Sequence, residues 1–111
     1  MFQQVILIGN LGKDAEVKTV NENVKVATVS LATSEKYNDK DNQLQEKTEW
    51  HSVVAWRNNA ERIEKLQLKK GDLLQVVGKL STRKYTDANG VDRYVTEVVV
   101  DTFQLLGRKE S

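Results

Sequence analysis

The chain has 111 residues, with 17 Lys/Arg against 16 Asp/Glu, a net charge of +1 and 39% hydrophobic residues. That length fits one domain able to bury a core unaided, and the near-neutral charge excludes a general polyanion sponge. With no cysteine there is no disulfide framework and no thiolate metal site, no apolar run reaches membrane-spanning length, and the N-terminus lacks the basic-then-apolar pattern of a secretion signal.

In chain order, Val5-Ile6-Leu7-Ile8 followed by Gly9-Asn10-Leu11-Gly12 predicts a strand with a bend or bulge. Residues 23–33, rich in Val, Ala and Thr, predict a second strand. The polar stretch 36–47 predicts a long hairpin loop, and 49–56 a third strand. Asn58 lies three residues before Glu61, the spacing of an N-cap with its capping-box partner. Ala60, Ile63 and Leu66 then recur at helical spacing, and Lys69-Lys70-Gly71 suits a helix end. Residues 73–83 predict a fourth strand, Asn89-Gly90 a turn, and 93–105 a fifth strand. Three strands, one helix and two more strands is the element order of the OB-fold. The expected fold class is therefore all-β with one short helix: a five-stranded OB-fold Greek-key barrel with the helix between strands 3 and 4. The expected domain is 1–107, with 108–111 a short C-terminal remnant.

The aromatics carry the functional signal. Tyr37, Trp50, Trp56 and Tyr85 are four of only seven aromatic residues. Trp50 and Trp56 are an even number apart in one strand and so share a face, about 20 Å from end to end. Large aromatics usually fill cores, but here the opposite face already offers Val53 and Ala55. Arg83 and Lys84 precede Tyr85, so a ring sits beside two cations. Lys13 and Arg57 are further candidate phosphate contacts; Arg62, Lys65 and Lys79 are weaker ones, equally readable as solvated charge. Rings interleaved with cations suit a single-stranded nucleic-acid groove. The charge is local: residues 1–51 hold six basic and eight acidic side chains, and residues 52–111 eleven and eight.

Three apparent motifs fail. Gly9-Asn10-Leu11-Gly12-Lys13 lacks the glycine-lysine-hydroxyl spacing of a phosphate loop. Asp39-Lys40-Asp41 begins like a calcium loop, but Leu44 and Trp50 stand where its glycine and glutamate belong. His51 is the only histidine and anchors no zinc site. No cofactor and no metal are expected, and the scattered carboxylates argue against an enzyme.

Over residues 5–106 the sequence resembles the bacterial-type single-stranded DNA-binding proteins. The resemblance rests on Val5-Ile6-Leu7-Ile8-Gly9-Asn10-Leu11-Gly12, Leu31-Ala32-Thr33-Ser34-Glu35, Thr48-Glu49-Trp50-His51 and Thr82-Arg83-Lys84-Tyr85-Thr86-Asp87. It continues through Gly90, Asp92-Arg93-Tyr94 and Thr96-Glu97-Val98-Val99-Val100. It implies an OB-fold that wraps single-stranded DNA as a homotetramer, cytoplasmic and nucleoid-associated, in replication, recombination and repair. It places the stacking rings at Tyr37, Trp50, Trp56 and Tyr85, and puts Val5, Leu7 and His51 at the subunit interface. Preference for DNA over RNA is likewise implied by the resemblance alone. The chain ends Gly107-Arg108-Lys109-Glu110-Ser111, without the acidic tip through which relatives recruit replication and repair enzymes, so that recruitment is in doubt. A protein-interaction module on the same barrel, such as a primosome component, is the competing expectation; retention of all four aromatic positions counts against it.

Overall fold

The computed structural model describes residues 2–108. Its elements are β1 (Val5–Leu11), β2 (Glu16–Val20), β3 (Val24–Asn38), β4 (Leu44–Trp56), α1 (Asn58–Leu66), β5 (Leu73–Thr86) and β6 (Asp92–Gly107). The sheet runs β1-β5-β6-β4-β3-β2 and closes through β1 on β3 at Asn10↔Ala32 and Leu11↔Leu31. Five strands were expected and the barrel has five, because β1 and β2 are two halves of one bent strand. The first half bonds to β5 and the second to β3. The β2 half escapes sequence reading because Glu16, Lys18 and Thr19 interrupt its apolar residues.

The core is built from alternate residues of each strand. Ala27, Val29 and Leu31 of β3, Val53 and Ala55 of β4, Leu74 and Val76 of β5, and Val98 and Val100 of β6 point inward. Ala60 and Ile63 seat the helix on them, with Leu66 partly buried beside them. The expected capping box at Asn58 does not form. Arg57 is the N-cap, no side chain caps the helix, and the Glu61 N–H donates to the Arg57 carbonyl at 2.9 Å. The helix also stops earlier than Gly71: Gln67 takes the left-handed conformation and its N–H donates to Ile63 and Glu64. Lys25 of β3 is paired to Glu64 of α1. Of the expected C-terminal remnant, residues 109–111 lie outside the described residues, and the Arg108 guanidinium donates to the Leu66 carbonyl at the helix end.

Closure demands close backbone approach. A Cβ at Gly78 would lie 2.1 Å from the Val99 carbonyl oxygen, and one at Gly9 would lie 2.1 Å from that of Ala32. At Gly78 the β5–β6 register slips, so that Val77 faces Thr102 while Gly78 faces Val100. The bulge leaves Asp101 unpaired in the ladder, and the Asn59 amide of the helix donates to its carbonyl at 3.1 Å.

The largest departure from expectation concerns the loops. Residues 36–47 are no loose hairpin: β3 and β4 stay paired out to Asn38↔Leu44. Likewise β5 and β6 pair out to Thr86↔Asp92. Both ribbons project from the barrel as two-stranded arms. Hydroxyl pairs cross them, Ser34 to Thr48 at 3.2 Å and Thr82 to Thr96 at 3.0 Å. Among the described residues no helix is long and apolar enough to cross a membrane.

Candidate nucleic-acid interface

Register decides which side chains share the outer wall. On β3 and β4 the pairs Val26↔Trp56, Thr28↔Val54, Ser30↔Ser52 and Ala32↔Trp50 face away from the core. Small residues thus separate two indoles. A cleft of about 310 Å³ beside Trp50 and one of about 420 Å³ beside Trp56 both include Thr28, so they form one trough. The four rings are exposed, Tyr37 by 49%, Trp50 by 62%, Trp56 by 46% and Tyr85 by 43%, and none belongs to the core. Burying four large flat apolar groups would be favourable, and the fold leaves them out.

Tyr85 follows Arg83 and Ser81 along β5 on the side of this trough, with Glu97 of β6 opposite Ser81. Tyr37 differs. It pairs with Gln45 and sits at odd register to the tryptophan rows, on the other face of the β3–β4 ribbon. A single-faced track therefore joins Trp50, Trp56 and Tyr85, and Tyr37 lies around the edge of the arm.

Trp50 is held by what lies beneath it. A Cβ on Gly12 would fall 2.2 Å from the Cζ3 atom of the indole, so the ring rests where only glycine leaves space. Sequence reading missed this role of Gly12, because the residue lies 38 positions away and acts only through its missing side chain.

Both arm tips are braced at the same residue spacing, a feature also missed. The Asp39 Oδ1 accepts from the N–H groups of Asp41 and Gln43, and its Oδ2 from the Gln45 amide. The Asp87 Oδ1 accepts from the N–H groups of Asn89 and Val91, and its Oδ2 from the Arg93 Nε. Three residues on, Asn42 and Gly90 both take positive φ. The repeated spacing of Asp39 to Asn42 and Asp87 to Gly90 was the available signal. These bonds favour the ionised carboxylates. The Gln43 N–H holds Asp39 below the usual carboxylate range, and the Val91 N–H with Arg93 does the same for Asp87. A pKa depressed by folding adds stability that is full above the unfolded value and fades as pH falls through the folded one. The arm tips should therefore loosen below about pH 4. Amide NMR shifts of Gln43 and Val91 should titrate together there; a flat response down to about pH 2 would contradict the brace.

The cations are mostly partnered. Lys13 meets Glu16 at 3.7 Å and Lys84 meets Asp92 at 3.1 Å. Such exposed pairs are worth about 0–1 kcal/mol, so a phosphate can replace the carboxylate easily. Arg57 has no ion-pair partner among the described residues and holds φ at 54°, an uncommon conformation for a side chain-bearing residue, directly after Trp56. Arg83 is different: its Nε donates to Glu97 Oε1 at 2.7 Å, and that carboxylate is buried. Leaving such a group unpaired costs about 1–3 kcal/mol or more. Arg62, one of the weaker phosphate candidates, lies 4.3 Å over the Phe103 ring.

The interface candidates divide. Val5 and Leu7 pack against the core, and the outward side chains of β1 are Ile6 and Ile8, both exposed. His51 is part-buried, with Nε2 2.9 Å from Thr33 Oγ1.

Comparison with known proteins gives a consistent result. The Single-strand binding protein family matches residues 2–106. The structure is similar to Plasmodium falciparum SSB in complex with ssDNA, at 34% identity and a TM-score of 0.87, covering 96% of this chain and 97% of that one. It is also similar to a deletion mutant of the single-stranded DNA binding protein from Thermus aquaticus, at 25% identity and a TM-score of 0.81. That match covers 94% of this chain and 50% of the other.

Proposed function

Because the chain belongs to the single-strand binding protein family, we propose that it binds single-stranded DNA without sequence preference by stacking bases on Trp50, Trp56 and Tyr85, and on Tyr37 around the edge of the arm. The observation that carries this reading is the exposure of all four rings, two of them bounding one trough. Every base has a flat face, so stacking tolerates any sequence. Duplex DNA hides those faces within its own stack. Lys13, Arg57 and Lys84 supply phosphate contacts. Coating unpaired strands in this way would serve replication, recombination and repair, in the bacterial cytoplasm at the nucleoid. The protein acts here as a binder with no catalytic step.

Tryptophan fluorescence followed during addition of short poly-dT tests the reading. Deep quenching is expected, and log K should fall with log salt at a slope of about −2, near −0.7 for each of three phosphates. Absence of quenching, or equal affinity for duplex, would overturn it in favour of a protein-interaction module.

Assembly belongs to the same reading. Between Val5 and Gly9 only one edge of β1 is paired within the chain, and Ile6 and Ile8 stand exposed beside it. An open apolar edge favours pairing with a second copy. Light scattering on the eluting protein should give four times the 12.6 kDa chain mass. A monomer mass would remove β1, and with it Val5, Leu7 and His51, from any interface.

A further inference from the structure

We infer that Arg83 meets DNA as a flat stacking surface pinned by Glu97, and not as a cation for phosphate. The inference rests on single-stranded DNA binding as read above and assigns roles within that trough.

The geometry separates this arginine from the other cations. The Glu97 side chain is 11% exposed and the Arg83 side chain 59%. The carboxylate is thus the fixed end of the pair and the guanidinium reaches outward from it. The bond runs through Nε, at one edge of the guanidinium, so it covers neither face of the plane. The guanidinium carbon lies over the Tyr85 ring, 5.8 Å from its centroid, so the two flat groups adjoin in one surface. Trp56 lines the same cleft, with Thr28, Val54 and Ser81 among its other walls.

Charge points the same way. A phosphate drawn to Arg83 would also approach the Glu97 carboxylate, and the pair together is neutral. A base carries no net charge, and guanidinium planes are good surfaces for unstacked bases. Glu97 therefore keeps the phosphodiester chain away from this part of the trough and turns the bases toward it. Lys13 and Lys84 have exposed partners and offer no plane, so they remain phosphate contacts.

Two variants of the full chain, titrated with poly-dT over a salt series, test this. Arg83→Lys keeps the charge and removes the plane. Affinity should fall about five-fold or more, the loss of one stacking surface, with the salt slope unchanged. Glu97→Gln keeps an oxygen for the Nε–H and removes the opposing charge. Its slope should steepen by about 0.7, because Arg83 becomes free to take a phosphate. Arg83→Lys binding as tightly as the parent, or Glu97→Gln keeping the parental slope, overturns the inference while leaving the function intact. A parent protein that fails to bind poly-dT overturns both. Should Arg83→Lys not fold, the slope of Glu97→Gln still decides.

Discussion

Gly78→Ala is expected to lower the melting temperature by roughly 12 °C or more, the consequence of about 3 kcal/mol of lost stability at about 4 °C per kcal/mol. The added Cβ would lie 2.1 Å from the Val99 carbonyl oxygen and 2.9 Å from its carbon. Those atoms belong to the backbone of β6, so no rotamer change relieves the clash. The neighbouring ladder must shift at the bulge where Gly78 faces Val100. Gly107→Ala is the control, since nothing lies within 4 Å of its added Cβ. That variant should stay within about 1 kcal/mol of the parent. Thermal unfolding by circular dichroism compares the two, and equal melting temperatures would show that the barrel absorbs the extra atom.

Trp50→Ala should weaken poly-dT binding by roughly five- to 150-fold, the effect of about 1–3 kcal/mol for one stacked base. Stability should barely change, because the ring is 62% exposed. Gly12→Ala supplies the finer version. Its Cβ would meet the far end of the indole, 2.2 Å from Cζ3, so the ring moves and the backbone does not. Affinity should fall by less than in Trp50→Ala, with an unchanged melting temperature. Parental affinity in Trp50→Ala would mean that this ring takes no base. Parental affinity in Gly12→Ala alone would mean that ring placement does not matter.

Much of the barrel was legible from local pattern. Alternation in residues 49–56 set Val53 and Ala55 opposite the tryptophans, and helical spacing of Ala60, Ile63 and Leu66 identified the helix face, whereas residues 23–33 read only as a strand and its inward row of Ala27, Val29 and Leu31 emerged with the fold. What escaped depends on contacts distant in sequence or on groups that carry no apolar signal. The polar arms read as loops because both their faces meet solvent, leaving no hydrophobic alternation to detect. Their pairing is set by the aspartate braces at the tips and by hydroxyl pairs across the ribbons. The capping box at Asn58 looked persuasive in sequence, but Arg57 is bound through its N–H to the Lys25 carbonyl and starts the helix one residue early. The four rings were singled out by the even spacing of Trp50 and Trp56, by the cations beside Tyr85 and by the family resemblance. The offset of Tyr37 was not, since it follows only from the β3–β4 register. Glu97 was visible as a letter in a valine-rich strand, yet its partner Arg83 lies 14 positions away.

Strict parity in the β3–β4 ribbon also limits how the gene encoding this protein can change length. One codon gained or lost between Trp50 and Trp56 would send the two indoles to opposite sides of the sheet, since a single-residue slip inverts every side chain beyond it. At the tips, where Asp39 and Asp87 close the turns, residues can be added as matched pairs, one to each strand, and every ring keeps its side. Reach of the arms is therefore the dimension open to change, while the spacing of the tryptophans can change only by an even number of residues.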